Sequence, residues 1–321
     1  MQRPAPIVGI FSGYLAGAYE GPVISAVLRS VSQAGGNVIA VQTAGTGNDY
    51  HRGVTLRDLA RVGWDHIDAA VTIANAVPPG YLEALGKAGK AVVAIGNEEP
   101  GYTCPVVVTD NASGIKQAVG HLVRHGHRRI AFVGCLDQFD IRARYEAYCA
   151  ALEEHGIPVD PSLLFEAENN FEHGAAPAAR AMLDAGLPST AVLAATDLNA
   201  VGVIRALKQA GYLLPRDQAV VGFDDSPDCP LLSPSLSSVA QDLDRLGSLA
   251  AELVLSQLSG ATVTPGRYVV PSSYVQRESC GCLPASHATT AHDRPGDGDA
   301  VERFTQSVVA GGPKHVPATE L

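Results

Sequence analysis

Val106-Val107-Val108-Thr109-Asp110-Asn111, followed by His121-Leu122 and then by Gly126-His127-Arg128-Arg129-Ile130-Ala131-Phe132-Val133-Gly134, is the stretch whose reading decides the fold. Val106–Thr109 is a short run of β-branched residues, and Asp-Asn after it is the chemistry that caps a helix N-terminus. Ile115, Ala118, Val119, Leu122 and Val123 keep a 3.6-residue stripe until Gly126 stops the helix. Strand, capped helix and strand predict a βαβ unit with Asp110 at the carboxyl end of its first strand. In open parallel sheets that end is where ligands sit.

The same alternation runs outward in both directions, which is the signature of an α/β chain with parallel sheets. Strands are expected at Ile7–Phe11, Asn37–Gln42, Ala69–Ile73 and Ala91–Ile95, with helices near Pro22–Ala34, Gly53–Val62 and Pro79–Ala88. A second series has strands at Ile130–Val133, Leu163–Glu166, Ala191–Ala195 and Ala219–Gly222. Its helices fall near Arg142–His155, Gly174–Ala185 and Leu198–Ala210. Two series of about equal length predict two lobes. A further helix, Leu243–Leu258, spaces Leu246, Leu249, Leu253 and Val254 for one buried face. From Leu283 onward the composition turns to Ala, Thr, His, Pro, Gly and Asp, so 283–321 is expected to be a mostly disordered tail.

The chain has 321 residues, 46% of them hydrophobic, which is ample for a buried core. A formal charge of −10 argues against nucleic-acid binding by this chain alone, because phosphate contacts need clustered Lys and Arg. The densest basic cluster, Arg124 to Arg129, reads as a solvated turn. No stretch is long and apolar enough to span a bilayer, and Met1–Pro6 leads straight into a strand without an apolar leader. A cytoplasmic protein without membrane contact is the expectation.

The motifs of the opening stretch resemble the middle of the ligand-binding domain in the lactose-repressor (LacI/GalR) family. Arg144-Tyr145-Glu146-Ala147-Tyr148 is similar to that family's R-x-x-G-F/Y/W, with Ala147 in place of the usual glycine. Ala195-Thr196-Asp197, Val220-Val221-Gly222-Phe223-Asp224-Asp225 and Leu236-Ser237-Ser238-Val239-Ala240-Gln241 follow in the family's order. The resemblance covers about Ile7 to Cys282. It implies the type I periplasmic-binding-protein fold: two Rossmann-like lobes joined by three crossover segments. The expected N-terminal lobe is 7–125 plus 241–261 and the C-terminal lobe is 126–240 plus 262–282, with Tyr268–Val270 and Tyr274–Gln276 both in the latter. It also implies a homodimer. Only six residues precede Ile7, so the family's helix-turn-helix is not expected here, and no direct specific DNA binding by this chain alone is expected. The ending Arg277-Glu278-Ser279-Cys280-Gly281-Cys282 resembles that of related sensory domains attached to diguanylate cyclases or histidine kinases.

A sugar offers vicinal hydroxyls that want bidentate acceptors and fork donors, and a ring face that packs on aromatics. The residues expected to meet it are Asp110 and Asp224 as acceptors, Arg144 as the fork donor, and Tyr14, Tyr19 and Phe223 as walls. Thr196 stands at a strand end, and Gln241 at a crossing. Plainer readings stand beside these: Asp110 capping its helix, Asp224 and Asp225 forming a turn, Arg144 paired with a carboxylate, and one of the two tyrosines covering core. Asp197 reads as a helix cap.

Other chemistries lack an anchor. The glycine-rich Ser12–Tyr19 loop does not fit G-x-G-x-x-G, and no GKS or GKT follows. There is no G-x-S-x-G elbow. The histidines show no H-E-x-x-H pattern, His121 is expected to pack at its helix end, and a lone Cys280-Gly281-Cys282 supplies too few ligands for zinc. No cofactor and no metal are expected. The sequence thus predicts a non-catalytic sensor of a small polar ligand, a carbohydrate first, serving LacI-type transcription regulation. The input domain of a signalling enzyme is the alternative, and a sugar-converting enzyme a third.

Overall fold

The computed structural model describes residues 5–43, 61, 63–77, 80–96 and 102–282. The expected tail at 283–321, and all but Arg61 of the expected helix Gly53–Val62, lie outside the described residues.

Two six-stranded sheets form, and they repeat one topology. The first is built from β1 (Ile7–Ser12), β2 (Asn37–Gln42), β3 (Ala69–Ile73), β4 (Ala91–Ile95), β5 (Pro105–Thr109) and β11 (Gly266–Val270), in the order β11-β5-β4-β3-β1-β2 and parallel throughout. The second holds β6 (Ile130–Gly134), β7 (Leu164–Glu166), β8 (Ala191–Ala194), β9 (Ala219–Asp224), β10 (Ser237–Gln241) and β12 (Ser272–Val275), in the order β12-β10-β9-β8-β6-β7. Its edge strand β12 is antiparallel to β10. In each sheet the strand order reverses beside the first strand, which opens a crevice at the carboxyl ends between β1 and β3 and between β6 and β8.

Strand periodicity distributes the cores. Val8 and Ile10 of β1 face one side and pack with α1 (Glu20–Gln33) and α7 (Leu243–Leu258). Phe11 faces the other side, with Trp64 and with Tyr81 and Leu85 of α2 (Tyr81–Lys87). In β6, Ile130 and Phe132 pack towards α3 (Asn111–Arg124) and α4 (Phe139–Glu154), while Ala131 and Val133 meet α5 (Ala176–Asp184) and α6 (Asp197–Gln209). The central strands β3, β4, β6, β8 and β9 are buried on both faces, as parallel strands require, whereas edge strand β2 is mostly exposed among the described residues.

Three crossings tie the lobes, at Asp110, at Asp242 and at Pro271, and two of them fall elsewhere than the sequence suggests. Strands β5 and β6 belong to different sheets, so the opening stretch is not a βαβ unit. The stripe Ile115, Ala118, Val119 and Leu122 packs on Phe132, Val221 and Val239 of the second sheet. Gly114 sits so close to β10 and β12 that an added Cβ would lie 2.4 Å from both Val239 Cγ1 and Ser272 Oγ. The first crossing is therefore at Asp110 and not at His125. Likewise Tyr268–Val270 does not join the second lobe: β11 pairs in parallel with β5, Tyr268 opposite Val107, and the chain crosses at Pro271 instead of after Ala261. Periodicity reports that a face is buried and is silent on which sheet buries it. Among the described residues, no helix is long and apolar enough to cross a membrane.

Candidate functional site

A cleft of about 1320 Å³ opens between the carboxyl ends of the two sheets. Tyr14, Tyr19 and Asn75 reach it from the first lobe, and Asp140, Arg144 and Asp224 from the second. The site is best built from its hinge outward.

Asp110 begins α3 at the first crossing, and its carboxylate accepts from Ser113 N at 3.0 Å. Its backbone is equally committed: N–H donates to Val270 O at 2.8 Å, and its carbonyl accepts from Ser272 Oγ at 2.6 Å. Asp110 thus clasps the first and third crossings together and caps a helix while lining the cleft. The second crossing joins through Gln241. Thr109 Oγ1 donates to Gln241 Oε1 at 2.5 Å, and Gln241 Nε2 donates to Asp224 Oδ1 at 2.7 Å.

Arg144 completes the line. Its side chain is only 4% exposed, and it donates from Nε to Asn111 Oδ1 at 3.2 Å, from NH1 to Ala195 O at 2.7 Å and from NH2 to Asp140 Oδ2 at 3.1 Å. Asp224 Oδ1 lies 3.6 Å from NH1. The guanidinium carbon of Arg144 sits over the Phe223 ring, 3.7 Å from its centroid. Three of its five N–H donors are therefore engaged in hydrogen bonds within the protein. Asp224 retains 24% exposure of its side chain, at a residue whose φ of 120° a non-glycine rarely adopts. Burial, with the Asp197 and Asp140 carboxylates nearby, pushes its pKa up to about 7 against the pull of Arg144 and of the Gln241 hydrogen bond. Across the cleft, burial and then the Asp140 carboxylate raise the Tyr19 phenol above its ordinary range.

Several expected residues take other roles. Phe223 is not a wall: it is fully buried, because an alternating strand that aims Asp224 at the cleft turns its neighbour into the core beneath Arg144. Phe139 and Phe171 line the cleft in its place. Thr196 reaches the cleft, but its hydroxyl donates to Asn170 O at 3.0 Å and accepts from Asn199 N at 3.1 Å. Thr196, not Asp197, is the cap of α6. Asp197 is buried and accepts from Ser226 N at 2.7 Å, Cys229 Sγ at 3.1 Å and Ser238 Oγ at 2.6 Å. Tyr19 both lines the cleft and packs on the first-lobe core, and Tyr14 stays half-buried at the cleft.

The sequence reading missed Asn111, Asp140 and Asn170. Asn111 and Asp140 were legible only as helix-start chemistry. Asn170 lines the cleft, and among the described residues its Nδ2 has no hydrogen-bond partner. His121 is buried in the last turn of α3, as expected of a histidine packed at a helix end, and away from the cleft the structure also brings His125 and Cys282 to it.

Residues 119–280 match the periplasmic binding protein-like domain family. The chain belongs to that family. Its relatives are LacI-type regulators. It is 35% identical over 171 residues to the HTH-type transcriptional regulator CelR of Thermobifida fusca, covering 53% of this chain and 50% of that protein. It is 31% identical over 186 residues to the HTH-type transcriptional repressor CytR of Escherichia coli, covering 58% and 54%. The chain thus spans about half the length of these curated relatives. The solved transcriptional regulator CelR–cellobiose complex superposes with a TM-score of 0.74 at 26% identity, over 87% of this chain and 85% of that one.

Proposed function

We propose that residues 5–282 form the effector-sensing part of a LacI-type transcription regulator, and that the cleft closes on a carbohydrate or similar polyol. The observation that carries this reading is the continuous line Thr109–Gln241–Asp224–Arg144, which runs from the last residue of a first-lobe strand through a crossing to a carboxylate and a guanidinium of the second lobe. Asp224 and Asp140 are the bidentate acceptors for vicinal hydroxyls, Arg144 and Asn170 the donors, and Tyr14, Tyr19, Phe139 and Phe171 the walls for a ring face. Asp110 and Thr196 border the ligand with groups partly committed to their helices, and Gln241 transmits its presence to the hinge. The relative solved with cellobiose supports a sugar as ligand class. Among the described residues the cleft pairs no nucleophile with a base, and the domain we propose is non-catalytic, acting in the cytoplasm as a homodimer. Its net charge of −10 favours leaving promoter contact to parts of the protein other than the described lobes.

A thermal-shift screen of the purified chain against mono- and disaccharides tests it. A true ligand at 100 times its dissociation constant stabilises by about 2.7 kcal/mol. The proposal fails if no sugar or polyol shifts the transition, and the site assignment fails if Arg144→Ala and Asp224→Ala both keep the full shift.

A further inference from the structure

The second lobe carries a cluster of ligating side chains that the cleft does not use. His121 and His125 lie one turn apart on the last turn of α3 and at its C-cap, and their rings stand 4.4 Å apart. The C-terminal segment after β12 brings Cys282 Sγ to 3.5 Å from His121 Nε2 and 3.4 Å from His125 Nε2. The ligand atoms of these three residues lie within 4.8 Å of one another. Cys280 adds a second sulfur, 3.2 Å from His121 Nε2. Tyr274 packs against His121, its ring centroid 4.8 Å away and its plane tilted by 42°.

These separations are those of a metal's coordination edges. With Zn–N near 2.0–2.1 Å and Zn–S near 2.3 Å at tetrahedral angles, an N···S edge is about 3.6 Å. The observed 3.4 and 3.5 Å edges match it, and both imidazoles turn their Nε2 towards the same sulfur. Imidazole and thiolate together select zinc over the oxygen-loving ions. We propose that His121, His125 and Cys282 bind one zinc-class divalent ion, with Cys280 joining them once its thiol leaves the Arg277 carbonyl to which it donates at 3.1 Å.

The ion would tie together the two chain segments that enter the second lobe from the first. Helix α3 starts at the Asp110 crossing, and the segment carrying Cys280 and Cys282 starts at the Pro271 crossing. Pinned at their far ends, they move as one body with the second sheet, and relative motion is confined to the hinge. This proposal stands independently of any ligand in the cleft.

The test is a cobalt(II) titration of the full chain, anaerobic, with a phosphine reductant and no sugar. The expected result is one ion per chain, with thiolate-to-cobalt charge-transfer absorption and strong tetrahedral d–d bands that zinc(II) abolishes on displacement. Cys282 is half-buried and His125 exposed, so Cys282→Ser and His125→Ala can be checked for an intact fold by circular dichroism. Each weakens binding by roughly 100-fold, the share of one ligand in four of a structural zinc's affinity. A wild-type protein without the charge-transfer band overturns the proposal, and so does a band that survives both substitutions.

Discussion

Gln241 Nε2 donates to Asp224 Oδ1 across 2.7 Å, and the same amide's oxygen accepts from Thr109 Oγ1 at 2.5 Å. Only one amide orientation serves both, since a carboxylate needs the N–H end and the hydroxyl here has its proton to give. One side chain in a crossing segment therefore registers the last residue of a first-lobe strand and the cleft carboxylate together. On the proposed function, a ligand hydroxyl at Asp224 would be felt at the hinge through Gln241 and, by way of Arg144, through Asn111.

Gln241→Leu removes that connection and leaves Thr109 Oγ1 and Asp224 without this partner. The bridge is half-buried, so the expected cost is about 1–2 kcal/mol, between a neutral and a charge-assisted hydrogen bond. Urea denaturation measures it. An unchanged midpoint would mean that water replaces the amide without loss.

With Asp224 as a ligand acceptor, as proposed, its raised carboxyl predicts pH-dependent ligand binding. With a folded pKa of about 7 against an ordinary Asp near 3.9, the folded protein favours the protonated form. The group's contribution to stability is complete below the ordinary value and is lost as pH rises through about 7. Sugar binding that uses the carboxylate as acceptor runs the other way: it strengthens as pH rises through about 7, and it releases protons below that point. Calorimetry in buffers of different ionisation enthalpy reads the protons directly. Asp224→Asn abolishes the pH dependence, and a wild-type affinity flat across neutrality would remove Asp224 from the binding set.

Gly222 is fixed by what lies beside it. An added Cβ would fall 2.2 Å from Asp197 Oδ1 and 3.2 Å from Leu236 Cδ2. Asp197 cannot retreat, being held by Ser226, Cys229 and Ser238. Gly222→Ala is expected to destabilise by about 1–3 kcal/mol, the usual range for overpacking a filled core. Chemical denaturation checks it, and Cys229→Ala, by loosening Asp197, should recover part of the loss.

How much of this was legible in the sequence follows from which kind of information each feature needs. The strands of both sheets and most helices are set by local periodicity and capping, and Asp110, Arg144, Asp224 and Gln241 fall where the motifs place them. Membership is a different matter. The α3 stripe declares a buried face, but whether β5 or β6 supplies the core depends on pairings far away in the chain, so the crossing was displaced to the wrong end of the helix. Phe223 misled for a related reason: an aromatic next to a cleft acid in sequence points the opposite way on a strand, while Phe139 comes from the first residue of α4 and Phe171 from a bend, neither with a periodic signal. His121 and His125 carry an ordinary helical spacing, and only the return of the chain after β12, more than 150 residues later, brings Cys282 to them.

Arg144→Lys separates charge from shape at the centre of the site. The guanidinium meets Asn111, Ala195 O and Asp140 in three directions while lying on Phe223, and it stands 3.6 Å from Asp224. An ammonium keeps the positive charge but has no planar fork, so it cannot hold the Asn111 amide and the Ala195 carbonyl while facing both carboxylates. Loss of about 1–2 kcal/mol of stability is expected from the stranded buried acceptor at Ala195. Arg144→Ala additionally leaves Asp140 and Asp224 uncompensated and should cost about 2–3 kcal/mol, below the range for fully buried pairs because both acids keep some solvent. The two variants differ most in pH response. With the charge retained, the pH at which sugar affinity rises stays near that of the wild type; with the charge removed, the Asp224 carboxyl loses its main counterion and that rise moves to higher pH. Equal profiles for Lys and Ala would show that Arg144 acts through packing on Phe223 and not through its charge.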